Sequence, residues 1–213
     1  MTASSRIGSV AALAAFVSII LYGIVQALQT AHVLRAPLDG IFIFGFSLCI
    51  VVPFVVGMLA LHYRAPAGKR FWSNAALICA ILYGNYAALN YTVQLATVIP
   101  ATIHGKLDLI RVLDQTPHSL FWDIDALAYV FMGLATLCGS AVFRWRGIEG
   151  WSKGFFLANA LMTPVVALVY FYPTFSVALL MLASPWIVTA SASMLCLFFY
   201  LRNPENEVDH DAH

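Results

Sequence analysis

The sequence predicts an all-α protein, a polytopic membrane helix bundle of six transmembrane helices with cytoplasmic N- and C-termini. Hydrophobic residues make up 62% of the 213 positions and charged residues 10%, whereas a soluble domain is about 45–50% apolar and about 25% charged. The apolar residues fall in six runs, each near the length of about 20 residues that crosses a bilayer. This composition excludes an ordinary soluble domain and a disordered chain.

Charged and turn-forming segments separate the runs, as in Arg64-Ala-Pro-Ala-Gly-Lys-Arg70 between the second and third. Three prolines inside runs, Pro53, Pro164 and Pro185, are expected to interrupt the second, fifth and sixth helices. The spans form one transmembrane domain over residues 1–202, and a polar cytoplasmic tail follows over residues 203–213. The predicted spans are residues 7–28, 41–61, 75–99, 120–143, 154–172 and 177–201.

Positive charge is divided unequally between the two sides of the membrane. The side that holds the termini carries eight of the eleven Lys and Arg residues: Arg6, Arg64, Lys69, Arg70, Arg144, Arg146, Lys153 and Arg202. The other side carries Arg35, Lys106 and Arg111. The positive-inside rule therefore places both termini in the cytoplasm. A net charge of +1 gives no basic patch, so we expect the lipid bilayer as a partner and no nucleic acid.

Three polar side chains from different spans are predicted to lie at one depth. Gln26, Asn90 and Asp125 are each 19 or 20 positions from the basic residue at the cytoplasmic end of their span, a helical rise of about 30 Å. Gln94 comes out slightly nearer the outer surface and Tyr129 slightly deeper. The sequence therefore predicts a polar layer just inside the outer interface.

Helical periodicity indicates which of these side chains share a face. On the fourth span, Asp125 and Tyr129 are four residues apart and share a face, whereas Asp123 points about 160° away from Asp125. We therefore expect Asp125 to face the protein interior and Asp123 to face outward. Steps of three and four residues define one polar stripe on the third span, formed by Tyr83, Tyr86, Asn90 and Gln94.

The connection between the third and fourth spans, residues 100–119, is the longest between spans. Leu107 and Ile110 belong to a spacing that suits a short amphipathic helix at the membrane interface, and a flexible connector is the alternative. The fourth helix has two candidate starts, an N-cap at Thr116-Pro117 or an N-cap at Ser119.

Metal and cofactor signals are weak. His32, His104 and His118 lie on the outer side, and His104 with Asp108 and His118 is a chemically allowed metal-ligand set. Their spacing matches no metalloprotease motif, so we expect no metal. No histidine lies deep within a span and no lysine lies within one, which excludes an intramembrane bis-histidine haem and a retinal Schiff base. No Walker A or GxSxG sequence is present, and we predict no cofactor.

Two segments resemble a group of small multi-spanning bacterial membrane proteins of unassigned function. They are Asn90-Tyr-Thr-Val-Gln94 with the following Val98-Ile-Pro100, and Thr116-Pro-His-Ser-Leu-Phe-Trp-Asp-Ile-Asp-Ala-Leu-Ala-Tyr129. The similarity covers the third and fourth spans and their loop, under a quarter of the chain. In that group a carboxylate usually occupies the position of Asp125, and Asp123 is not a motif position. The resemblance implies a multi-pass protein of the bacterial cytoplasmic (inner) membrane.

The sequence supports three hypotheses about function. The first is the binding or transport of a small amphipathic or weakly basic molecule in an outward-facing pocket between the first, third and fourth helices. The predicted lining of that pocket is Gln26, Tyr83, Tyr86, Asn90, Gln94, Asp125 and Tyr129. The second hypothesis is a membrane-embedded enzyme that acts on a lipid or isoprenoid with Asp125 as acid or base. The third is an accessory or sensory subunit whose polar side chains only hold the helices together.

Overall fold

The computed structural model describes residues 2–203, and all regular secondary structure in that part of the chain is helical. Short 3₁₀ segments occur at Ala67–Lys69 and Leu107–Leu113. The predicted tail lies outside the described residues apart from Asn203. In chain order the α-helices are α1 (Ala3–Thr30), α2 (Leu38–Tyr63), α3 (Arg70–Val93), α4 (Ile99–Ile103), α5 (Leu120–Ser140), α6 (Gly147–Phe171), α7 (Val177–Ala183) and α8 (Pro185–Arg202).

Six helical segments in the described chain are long and apolar enough to cross a membrane, which confirms the predicted helix bundle. Helices α1, α2, α5 and α6 each form one segment. The third segment, Ala67–Ile103, runs through α3, a π-helical turn at Gln94–Val98 and α4. The sixth, Val177–Arg202, consists of α7 and α8. The chain is therefore a multi-pass membrane protein.

The six segments form a ring, because each packs against the next in the sequence and α8 packs back against α1. Two glycines set the closest helix contacts. A Cβ atom at Gly8 of α1 would lie 2.0 Å from the Cβ of Ala60 on α2, and one at Gly133 of α5 would lie 1.7 Å from the Oγ1 of Thr163 on α6. Small residues at such crossings let helix backbones approach closely in a membrane.

One end of the ring, here called the loop end, carries residues 104–119; the opposite end, where the described chain begins and finishes, is the terminal end. The loop contains a 3₁₀ helix that is bent at Ile110 (φ −132°, ψ 22°) rather than a regular amphipathic α-helix. Helix α5 begins after Ser119, whose side chain accepts a hydrogen bond from the Trp122 amide at 3.3 Å. Of the two predicted starts, the structure therefore uses Ser119.

Basic side chains at the terminal end cap backbone carbonyls. The Lys69 ammonium donates to the carbonyl of Val142, just beyond α5, at 2.8 Å. The Arg64 guanidinium donates to the carbonyl of Leu201 at 2.7 Å and to that of Asn203. Cations placed on the last carbonyls of a helix satisfy acceptors that have no partner within the helix.

A buried polar cluster joins three helices near the middle of α6. The Asn159 amide donates to the Thr136 hydroxyl of α5 at 3.1 Å and accepts from the Thr189 hydroxyl of α8 at 3.3 Å. Hydrogen bonds of this kind hold membrane helices together.

The predicted proline interruptions differ in outcome. Pro53 and Pro164 lie inside the continuous helices α2 and α6. Pro185 is the first residue of α8 and coincides with the break that separates it from α7. Proline has no backbone N–H, so the hydrogen-bond ladder cannot run unbroken through this point.

Candidate functional site

The Asp125 side chain lies inside the ring at the loop end, with only 4% of its surface exposed. Asp123, in the first turn of α5, is exposed. The structure thus confirms that Asp125 faces inward and Asp123 outward.

Three neutral groups from three different elements donate hydrogen bonds to the Asp125 carboxylate. The Tyr91 hydroxyl of α3 bonds Oδ1 at 2.8 Å, and the Tyr170 hydroxyl of α6 bonds Oδ2 at 2.5 Å. The Gln115 Nε2 group from the loop bonds Oδ2 at 3.0 Å. Within residues 2–203 these donors include no Lys, Arg or His. Because a carboxylate offers about four acceptor positions, Oδ1 retains capacity for a further donor.

Gln115 attaches the loop to the interior of the ring. Its Oε1 accepts a hydrogen bond from the Asn90 amide at 2.9 Å, while its Nε2 donates to Asp125. Its backbone N–H donates to Gln94 Oε1 at 3.2 Å, and the Gln94 Nε2 donates to the carbonyl of Leu113 at 2.8 Å. The loop is therefore fixed over Asp125 by side-chain amides of the third segment.

Two residues of the polar stripe on the third segment, Asn90 and Gln94, contribute to the site by binding the loop and do not line the cavity. Asn90 and Gln94 are both buried, and Gln94 begins the π-helical turn. The Asn90 Oδ1 atom is buried and has no hydrogen-bond partner among the described residues. A π-helical turn is uncommon and is often found at functional sites.

A cavity of about 340 Å³ occupies the loop end of the ring. All six spanning segments contribute to its lining, including α3 through Tyr91. The polar lining residues, apart from the tyrosines and tryptophans, are Gln26, Gln29, Ser47, Gln115, Asp125 and Ser184.

Aromatic rings form much of the remaining wall. Trp186 of α8 contacts Tyr22 edge-on with ring centroids 6.0 Å apart, and contacts Tyr129 edge-on at 4.9 Å. Trp122 and Tyr170 have ring centroids 4.5 Å apart. These contacts fix the ring orientations around the cavity, and aromatic faces attract cations.

A chain of hydrogen bonds on α1 borders the same cavity. The Tyr22 hydroxyl donates to Gln26 Oε1 at 3.0 Å, and the Gln26 Nε2 donates to Gln29 Oε1 at 3.1 Å. The Gln29 Nε2 then donates to Asp39 Oδ2 at 3.0 Å. This chain directs the amides of α1 along the cavity wall and ties them to the start of α2.

The structure places the predicted pocket residues in different positions. Gln26, Asp125 and Tyr129 line the cavity. Asn90 and Gln94 do not line it and instead form hydrogen bonds with Gln115 of the loop. Tyr83 and Tyr86 are not among the cavity-lining residues; the first contacts Phe54 and the second stacks on Phe131. The predicted pocket lies between three helices, and the cavity also involves α2, α6, α7 and α8.

Several site residues were not predicted from the sequence. Tyr22 is four residues before Gln26 and shares its helix face, so periodicity alone identifies it. Gln115 lies in a loop and carries no periodic signal. Tyr170 and Trp186 reach the cavity from the fifth and sixth spans, where the sequence holds no acid or amide at the predicted depth to mark them.

The three histidines considered as metal ligands, His32, His104 and His118, are not among the cavity-lining residues. His104 Nδ1 is 2.6 Å from the Pro100 carbonyl oxygen. His32 and His118 have positive φ angles of 57° and 65°. Within residues 2–203, His, Cys, Asp and Glu side chains form no group of three or more that could hold a metal ion.

The fold and site define a multi-pass membrane protein whose loop end encloses an acidic cavity with aromatic walls. Comparisons with protein-family models, curated proteins and solved structures found no match.

Proposed function

We propose that this protein binds a small, weakly basic amphipathic molecule in the cavity at its loop end, and that it holds or transports that molecule. The observation that carries the proposal is the Asp125 carboxylate, which borders the cavity and receives hydrogen bonds from neutral donors. A carboxylate shielded from water is costly unless it is paired and hydrogen-bonded. The ammonium group of a ligand would supply the missing positive charge.

The walls support a cationic ligand for a second reason. The aromatic rings of Trp186 and Tyr129, which contact each other edge-on, line the same cavity as Asp125. Attraction between a cation and an aromatic face strengthens where water is excluded. The cavity volume of about 340 Å³ is near the lower end of ligand-binding pockets, which span about 300–1,000 Å³. A small molecule therefore fits the site better than a large one.

The distribution of charge supports an outward-facing cavity. Arg64, Lys69 and Arg70 lie at the terminal end, as do most other cations, and the positive-inside rule places that end in the cytoplasm. The loop end would then face the exterior of the cell. Together with the resemblance to bacterial membrane proteins, this argues for uptake or sensing of an external molecule at the inner membrane.

The cavity also distinguishes this proposal from a purely structural polar cluster. In such a cluster the polar side chains would be hydrogen-bonded to one another, as are Asn159, Thr136 and Thr189 of α6, α5 and α8. At the loop end the polar groups instead border an open volume.

Substitution of Asp125 by asparagine tests the proposal directly. We expect the purified protein to bind benzylamine, and D125N to bind it about 10- to 100-fold more weakly, because a hydrogen bond to a charged group contributes about 1.5–3 kcal/mol. Benzyl alcohol has a similar shape without the charge and should bind both proteins equally weakly. Titration calorimetry in detergent measures the affinities.

The matched control is D123N, which removes an exposed carboxylate two residues away and should bind benzylamine like the wild type. Thermal unfolding verifies that D125N is folded, and Trp186→Leu provides a second variant that weakens amine binding without altering the carboxylate. Equal affinity of D125N and D123N, or no amine binding by the wild type, would contradict the proposal.

A further inference from the structure

The most exposed parts of the cavity lining mark its mouth. Met181, with 43% of its surface exposed, and Phe175, with 37% exposed, both line the cavity. Ser184 and Pro117 also line it and are exposed. These residues lie on α7, on the turns at its two ends and on the loop over Asp125. The mouth therefore extends from the loops down the side of the ring along α7.

Helix α7 is a loosely packed part of the side of the ring. Its seven residues are all apolar, none is buried, and it packs chiefly against α6. The break at Pro185 separates it from α8, which packs against both α1 and α6. Because α7 is the loop-end part of the sixth spanning segment, its apolar surface lies beside the hydrocarbon of the leaflet at that end. The mouth thus adjoins lipid as well as the loops.

Polarity changes across the cavity. The acid and the amides, Asp125, Gln115 and Gln26, come from α5, the loop and α1. The lining from α7 itself is apolar, through Leu180, Met181 and Ala183, and the polar Ser184 follows at the end of the helix. A ligand that matches both parts has a polar head directed to Asp125 and an apolar tail directed to α7.

We infer that the ligand is a single-chain alkylamine, whose ammonium group binds Asp125 and whose alkyl chain leaves the cavity past Met181 into the bilayer. This inference rests on the proposed binding of a basic molecule. A volume of about 340 Å³ accommodates a head group and a short chain, whereas a longer chain has to extend beyond the cavity. The exposed position of Met181 in the lining provides the exit.

The test compares butylamine, octylamine and dodecylamine binding to the protein in lipid nanodiscs, with each affinity corrected for the amount of amine dissolved in the lipid. We expect the corrected wild-type affinity to be kept or to rise from butylamine to dodecylamine. Met181→Trp should narrow the exit and weaken dodecylamine binding about tenfold relative to butylamine binding, the effect of about 1.4 kcal/mol. Thermal unfolding shows whether this variant is folded.

Leu182→Trp is the matched control, because Leu182 is on the same helix, is 54% exposed and is not among the cavity-lining residues. It should bind all amines like the wild type. A wild type that binds butylamine and rejects the longer amines would overturn the inference and leave the proposed function standing. Equal dodecylamine affinity of Met181→Trp and Leu182→Trp would overturn the exit at Met181. Failure to bind any amine would overturn the proposed function itself.

Discussion

Single hydrogen bonds at Asp125 connect separate parts of the chain. Tyr91, Gln115 and Tyr170 belong to α3, the loop and α6, and all three donate to one carboxylate of α5. Each donor therefore both positions the carboxylate and fixes its own segment. The shortest of these bonds is the one from the Tyr170 hydroxyl to Oδ2, at 2.5 Å.

Removal of the Tyr170 hydroxyl should destabilise the protein. Tyr170→Phe takes away a donor to a buried carboxylate, at a cost of about 1.5–3 kcal/mol. Tyr172→Phe is the control, because Tyr172 is exposed and lies just beyond α6. We expect thermal unfolding in detergent to show a lower Tm for Tyr170→Phe and an unchanged Tm for Tyr172→Phe. Equal Tm values for the two variants would show that the bond contributes little.

Helical periodicity was sufficient to predict the directions of Asp123 and Asp125, because a two-residue separation on a helix puts side chains on opposite sides. It was not sufficient for Tyr91, which is one residue from Asn90 and off the predicted stripe, yet is buried beside Phe44 of α2. A helix in a ring has neighbours on two sides, so its buried face is wider than one stripe. The inward position of Gln115 depends on how the loop folds, which periodicity does not describe.

At the scale of helices, the spacing between α5 and α6 depends on Gly133. A Cβ at this position would lie 1.7 Å from Thr163 Oγ1 and 2.7 Å from Thr163 Cβ. Such an overlap forces the helices apart. The sequence contains thirteen glycines, and only the packed structure distinguishes those at a helix crossing from those that face open space, such as Gly45.

Gly133→Ala should therefore lower stability by about 1–3 kcal/mol, the usual cost of overpacking a core. Gly45→Ala is the matched control, since a Cβ there meets no atom within 4 Å. Adding Thr163→Ala to Gly133→Ala should restore part of the loss, because it removes the nearest atom, Thr163 Oγ1. The readout is again thermal unfolding; an equal effect of the two glycine substitutions would contradict the close contact.

Helix breaks were predicted only in part. The sequence marked Pro53, Pro164 and Pro185 as interruptions, and only Pro185 coincides with a change of helix. A proline removes one N–H, and in a membrane helix the freed carbonyl can be satisfied by small local adjustments. The proline alone therefore does not determine a break. At Pro185 the break also separates a loosely packed α7 from a well-packed α8.

At the scale of the molecule, composition and hydropathy determine the number of spans, and the structure confirms six within residues 2–203. They do not determine the packing of α8 against α1, because contacts between the ends of a chain leave no local pattern. The cavity depends on this packing, since its lining comes from every span. The sequence therefore predicts polar residues at one depth in the membrane and does not predict the cavity that the packed helices form.

The predicted orientation can be tested with single cysteines at the two ends of the ring. Lys106 lies in the loop and Arg70 at the start of α3, and both are exposed. In a background whose native cysteines are replaced by alanine, Lys106→Cys should react with a membrane-impermeant maleimide in intact bacterial cells. Arg70→Cys should react only after the membrane is permeabilised. The reverse pattern would place the loop end in the cytoplasm.

The ring has a consequence for the order in which the protein is assembled. Each segment after the first packs against the one before it, so a span that enters the bilayer finds one of its neighbours already there. Helix α1 differs from the other segments, because it also packs against α8, which is synthesised after the five other spanning segments. Until α7 and α8 are inserted, the ring is open beside α1, and the wall that contains Met181 and Trp186 is missing. The sixth segment thus closes the ring and completes the cavity in a single step.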